Sequence, residues 1–337
     1  MNFNLGGLLF VFMIYQPSTA VEKIHSCLPG SVKNICILDH VFYNRSLNIK
    51  HIFPQNYSIV HIGNDGWKKG INSVIQAFDG QLYAELGHPP VLESLTAEVE
   101  MLEIPRALSY ANFAGNRIEA FWIEEGDAEP QLSYLDLGQN GLSRLTNITA
   151  FVNLETIYLQ ANQLEVLELY VFKNFTKLKV LNLNYNLFTV LSGDLFPPSL
   201  IYLGLEYNDM TTLDYGTLQL PSLKVLNIGQ NSLRTIDVAQ LLLGLPKLEV
   251  LRLSHNKLSH ESLRSALEVL RQRNISYRDE SSKVSCYYDS EQIEGVCMER
   301  QPTVGGRVKI VLLSILSVLI AILFVLLMYW VYVFMNK

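Results

Sequence analysis

The chain of 337 residues is poor in the groups on which enzyme chemistry rests. Its seven histidines form no HExxH pair and no other close metal-ligand spacing, and its four cysteines include no CxxC. GxSxG and a phosphate-cradling glycine loop are also missing. These gaps set aside zinc hydrolases, serine hydrolases, nucleotide-binding enzymes and thiol oxidoreductases. We therefore expect no catalytic residue, no metal and no cofactor. Positive charge is scarce as well: 26 Lys and Arg face 32 Asp and Glu, a net charge of −6 with no basic stripe. Nucleic acid is not the expected partner.

Charge is also missing from two apolar runs, one near each end. Residues 310–334 are 25 apolar or neutral residues, about 37 Å long as a helix and enough to cross a hydrocarbon core of about 30 Å. Tyr329, Trp330 and Tyr332 near its end match an interfacial aromatic belt. Residues 335–337 would be the whole cytoplasmic tail. At the start, Leu5–Tyr15 is an apolar core too short to span, followed by the small residues Ser18 and Ala20, as at a signal-peptidase site. Its leading segment lacks Lys and Arg. Arg307 and Lys309 outside the span, against Lys337 inside, run contrary to the positive-inside tendency, but a translocated domain of this size fixes orientation largely regardless of local charge. The expectation is a single-pass type I protein of the plasma membrane with residues 21–309 outside.

That compartment favours disulfides. Four cysteines allow three pairings, and nearness in the chain favours Cys27 with Cys36 and Cys286 with Cys297. Sequons beginning at Asn44, Asn56, Asn147, Asn174 and Asn274 are expected to carry surface glycan.

What the chain has in abundance is a repeat. "LSYANFAGNRI", "LSYLDLGQNGL", "LETIYLQANQL", "LKVLNLNYNLF", "LIYLGLEYNDM", "LKVLNIGQNSL" and "LEVLRLSHNKL" all fit L-x-x-L-x-L-x-x-N-x-L. Asn116, Asn140, Asn162, Asn186, Asn208, Asn231 and Asn256 mark the register, at spacings of 24, 22, 24, 22, 23 and 25. The pattern predicts an α/β solenoid, a leucine-rich-repeat horseshoe with a parallel concave sheet. The fourth and sixth leucines point inward from a short strand, and the asparagine bonds backbone where the chain turns away. Upstream, "YSIVHIGNDGW" reads as a degenerate repeat with Asp65 in the asparagine position. "LESLTAEVEML", from Leu92, reads as another with Glu100 there, but the register between 65 and 108 stays open. Leu263, Leu267 and Leu270 share one helical face and predict a capping helix. The expected organisation is signal peptide 1–20, N-terminal cap 21–56, repeats 57–258 (57–107 degenerate), C-terminal cap 259–300, linker 301–309, span 310–334 and tail 335–337.

Residues flanking the inward leucines form three outward columns. The first holds Tyr110, Tyr134, Thr156, Val180, Tyr202, Val225 and Val250. The second holds Asn112, Asp136, Tyr158, Asn182, Gly204, Asn227 and Arg252, and the third Ala114, Gly138, Gln160, Asn184, Glu206, Gly229 and Ser254. Tyrosines among amides and glycines resemble a protein-binding paratope, so Tyr110, Asn112, Tyr134, Asp136, Tyr158, Gln160, Asn182, Asn184, Tyr202, Glu206, Asn227 and Arg252 are the candidate ligand-binding residues. The competing reading is that the tyrosines only stack on one another across strands. In the span, Ser314, Ser317 and Ala321 fall within a sector of about 60°, a stripe for packing against a second copy or a tailed co-receptor; the competing reading is serines bonding their own backbone.

Signal peptide, about ten repeats, short caps, a capping helix and paired terminal cysteines together resemble the leucine-rich-repeat immune proteins of mosquitoes. The chain lacks the heptad coiled coil of the long secreted members and has a span instead, as the transmembrane branch does. The resemblance implies innate immunity and a protein ligand, pathogen-derived or complement-like; the missing coiled coil counts against coiled-coil dimerisation and against the complement partnership that depends on it. The expected function is a tailless cell-surface recognition receptor or co-receptor. The alternatives are an adhesion or structural surface protein, or a regulator that escorts another membrane protein.

Overall fold

The computed structural model describes residues 21–28, 33–47, 49–63, 73–278, 286, 290–300, 312–325 and 328. Ten short strands build its main sheet: β1 (Ile35–Leu38), β2 (Ile59–Gly63), β3 (Val91–Leu95), β4 (Tyr110–Asn112) and β5 (Tyr134–Asp136) come first. They are followed by β6 (Thr156–Tyr158), β7 (Val180–Asn182), β8 (Tyr202–Gly204), β9 (Val225–Asn227) and β10 (Val250–Arg252). All pair in parallel and in chain order, with no crossover between neighbours. The central residue of each strand from β4 to β10, from Ala111 to Leu251, is fully buried or nearly so. The residue two further on, Phe113, Leu137, Leu159, Leu183, Leu205, Ile228 or Leu253, is buried with it. Returning segments fill the interior from the far side with Phe121, Phe151, Phe172, Phe175 and Phe188. Each such side chain contributes about 1.5–3 kcal/mol by leaving water.

The asparagines stitch one turn to the next. Asn186 accepts from the Leu164 N–H at 3.1 Å and donates to the carbonyls of Leu159 at 3.0 Å and Leu183 at 3.1 Å. Asn162, Asn208, Asn231 and Asn256 repeat the same three bonds. One amide thus satisfies backbone groups of two turns that no strand or helix would pair. The residue before each asparagine has positive φ: Gly115, Gln139, Ala161, Tyr185, Tyr207, Gln230 and His255.

The open register is closed by β3. Val91 pairs with both Ile59 and Tyr110, so Leu92 takes the fourth position of its repeat, Ser94 the sixth and Ala97 the asparagine position. This corrects the expected start at Leu92 with Glu100 in the asparagine place, three residues off. The physical reason is substitution of both marker residues. Asn116 alone makes the junction, accepting from the Ala97 and Val99 N–H groups at 2.9 and 3.1 Å and donating to the Ser94 carbonyl at 2.7 Å. Val60 and Ile62 are inward as expected, whereas Asp65 and Trp67 lie outside the described residues.

Both ends of the sheet are covered. At the start, Leu28 donates to the Ile37 carbonyl and Cys27 is bonded to Cys36, whose side chain fills an inward position of β1. The first strand of the sheet therefore lies within the segment expected to be cap. Behind it, Asp79 caps α1 (Gly80–Glu85) through the Leu82 N–H, accepts from the Tyr43 hydroxyl and pairs with Arg45. At the other end, α3 (His260–Gln272, following α2 at Val238–Gly244) buries Leu263, Ala266, Leu267 and Leu270, the face expected of it. The hairpin Ser290–Ile293/Val296–Glu299 carries Cys297, which is bonded to Cys286. Its carbonyl accepts from the His255 N–H, and Ser276 pairs with the edge of β10.

Residues 312–325 are helical with exposed side chains. No helix among the described residues is long and apolar enough to cross a membrane. Residues 310, 311, 326, 327 and 329–334 of the expected span, the linker residues 301–309, the tail and the signal segment 1–20 lie outside the described residues. Within the helix, the Ser317 hydroxyl donates to the Ser314 carbonyl at 2.7 Å, which is the competing reading of the serine stripe; Ala321 lies on the same helix.

Candidate binding surface

The strands carry nine of the twelve candidate residues, and Gln160, Asn184 and Glu206 follow two residues after the ends of β6, β7 and β8. In the first cluster Tyr110 and Tyr134 stack, with ring centroids 4.1 Å apart and planes 7° from parallel, and Tyr158 leans on Tyr134 at 5.7 Å. Burial raises the phenol pKa of both Tyr110 and Tyr134. Glu93 of β3 adjoins Tyr110 and also binds His61 of β2 at 2.7 Å, extending the face toward the N-terminus. Neither residue belongs to the three columns read from the repeats, because the register through β3 is not legible in its sequence.

In the second cluster Asn184 accepts from the Glu206 N–H at 2.8 Å and bonds the Tyr202 hydroxyl, while Asn227 donates to Glu206 at 3.0 Å. Arg252 lies close enough for its charge to act on Tyr202. Gly204 sits beneath: a Cβ there would come within 2.7 Å of the Asn184 amide oxygen and 3.0 Å of the Tyr202 hydroxyl. The glycine is what lets these side chains cross the sheet. In the middle, the Gln160 amide covers Gly138, where a Cβ would lie 2.2 Å from its nitrogen. Among the described residues, the Gln160 side-chain oxygen is buried without a hydrogen-bond partner.

The second column has a structural duty that its sequence does not announce. Asn112, Asp136, Asn182 and Asn227 each accept from the backbone N–H two residues on, at 3.1, 2.8, 3.0 and 3.2 Å. These Asx turns end each strand as it leaves the sheet. Burial raises the Asp136 pKa, opposed by its bond to the Gly138 N–H. The side-chain oxygens of Asn112, Asn182 and Asn227 and one carboxylate oxygen of Asp136 are therefore engaged by the backbone. Four sequon asparagines, Asn56, Asn147, Asn174 and Asn274, are exposed and Asn44 is half-buried; none lies on a strand of the sheet.

A ladder of buried asparagines behind a ten-stranded parallel sheet decides the class. The chain carries leucine-rich repeats. The family model described as "Leucine rich repeat" matches residues 152–210 and 198–258. No curated protein matches the chain in sequence. Among solved structures, the leucine-rich repeat domain of APL1B is similar with 16% identity and a TM-score of 0.52, over 76% of this chain and 80% of that one. The TLR13–ssRNA13 complex is similar with 18% identity and a TM-score of 0.52, over 70% of this chain. This chain spans only 36% of the TLR13 chain. An internalin (InlF) from Listeria monocytogenes aligns at 18% identity over 67% of this chain and 61% of its own, with a TM-score of 0.44. At these identities the leucine-rich-repeat likeness is one of fold.

Proposed function

We propose that the protein is a recognition receptor or co-receptor of innate immunity that binds a protein ligand on the concave face of its leucine-rich repeats. The observation that carries this reading is the face itself, with stacked tyrosines, adaptable amides, few charges and no sequon on its strands. The fold shared with the TLR13 and APL1B structures supports a binding scaffold rather than an enzyme. We place it at the plasma membrane, held by the apolar run 310–334 with its ectodomain outside.

The test is recovery of bound proteins by the tagged full-length chain on cells exposed to microbes, beside a variant carrying Tyr134→Ala, Tyr158→Ala and Tyr202→Ala. Proteins recovered by the parent and lost by the variant are the expected outcome. Identical recovery by both would remove the concave face from the reading. Release of the chain by a phosphatidylinositol-specific phospholipase would replace the span with a lipid anchor.

A further inference from the structure

Beside the sheet, where the chain turns away after each asparagine, equivalent positions of successive repeats can be compared. The residue after the asparagine is Arg117, Gly141, Gln163, Asp209, Ser232 or Lys257 in six repeats and Leu187 in one. Four after the asparagine, Arg144, Thr212 and Thr235 stand in three repeats, but Val166 and Val190 in two adjacent ones. The fold thus tolerates polar residues here, yet Val166, Leu187 and Val190 are apolar and 74%, 42% and 58% exposed. Contiguous apolar surface that the core does not require marks an interaction site.

The same edge is hollow. Two adjoining depressions of about 490 Å³ each share Leu187. Leu145 and Val166 line the first with Glu165 and Glu168; the second is walled by Tyr185 and Tyr207 with Asp209 beside them. The two rings stack at 4.1 Å and 12°, projected from the edge by backbone at φ of 55° and 53°. Among the described residues, neither glutamate nor Asp209 enters an ion pair. Three carboxylates against the guanidinium of Arg144 and the imidazole of His255 leave the trough acidic.

We propose that this lateral trough docks an extended segment of a partner protein whose aliphatic side chain is flanked by lysine or arginine. The aliphatic group covers Val166 and Leu187, and the cations meet Glu165, Glu168 and Asp209 or lie against the tyrosine pair. The site is separate from the concave face and stands whether or not that face binds a ligand.

The probe is a phage-displayed library of random peptides about twelve residues long, panned on the full-length chain in detergent micelles. Peptides pairing Leu, Ile or Val with neighbouring Lys or Arg are the expected enrichment. Leu187→Asp should weaken an enriched peptide by about tenfold or more, as loss of an interface anchor does. Glu165→Lys with Glu168→Lys should turn the preference toward acidic flanks. These side chains are exposed, so the variants keep the parent's melting temperature. Tyr134→Ala on the sheet should leave peptide binding unchanged. No enrichment, enrichment of acidic peptides by the parent, or equal binding by parent and both variants would overturn the proposal.

Discussion

Tyr110 and Tyr134 lie face to face across β4 and β5, their ring centroids 4.1 Å apart. The candidate binding surface is therefore also a self-packed one, and each ring supports the other in the absence of any ligand. Such a pair contributes about 0.5–1.5 kcal/mol beyond its buried area. A double-mutant cycle with Tyr110→Ala and Tyr134→Ala should show a coupling of about 1 kcal/mol in denaturant unfolding. Strict additivity would mean that the stack adds nothing to stability and that the rings are held only for binding.

The asparagine ladder should be costly to break. Asn186→Ala removes four bonds and leaves the Leu164 N–H and the carbonyls of Leu159, Leu183 and Asn184 without their side-chain partner at a site where Asn186 is only 4% exposed. A buried unsatisfied group costs about 1–3 kcal/mol, so a loss of about 3 kcal/mol is expected. Unfolding in urea measures it, and a loss within experimental error would show that water replaces the amide.

Two glycines only 28 residues apart should respond in opposite ways. At Gly244, the last residue of α2, a Cβ would come within 1.8 Å of the Leu218 carbonyl oxygen, which is backbone and cannot step aside. At Gly216 the nearest atom is the Asp214 carboxylate at 3.4 Å. Gly244→Ala should destabilise by about 3 kcal/mol, the upper part of the overpacking range, while Gly216→Ala stays near neutral. Melting temperatures of the two variants, compared with the parent, decide it.

The N-terminal cap should weaken in acid. His25 and His51 share a hydrogen bond of 2.9 Å and stack with Phe53, and burial, reinforced by His51 and then Lys23, lowers the His25 pKa to about 4. Burial likewise lowers that of His51. Unfolded histidine takes up its proton near pH 6.5, so between pH 6.5 and 4 the unfolded chain binds more protons than the folded one. Stability from this pair is present above pH 6.5 and is lost as the pH falls toward 4. The melting temperature of the parent should drop more steeply over that window than that of His25→Gln, which keeps a polar partner but no titrating ring. Parallel slopes would remove the pair from the acid response.

Much of the fold is legible in the amino-acid sequence alone. From Asn116 to Asn256 the leucines and asparagines recur at nearly constant spacing, and a repeat can close only by stacking on its neighbour. Period therefore determines strand, turn and inward face together. The buried face of the capping helix follows from the helical spacing of Leu263, Leu267 and Leu270. The register at β3 does not, because Ser94 and Ala97 carry neither marker, and only pairing with β2 and β4 places them. Likewise the Asx turns of Asn112 and Asn182, the crossing of Tyr202 and Asn184 over Gly204, and the exposed trough around Leu187 depend on atoms from adjacent turns. A one-dimensional pattern says which residues leave the core; which of them then meet each other is set by the distance between neighbouring coils.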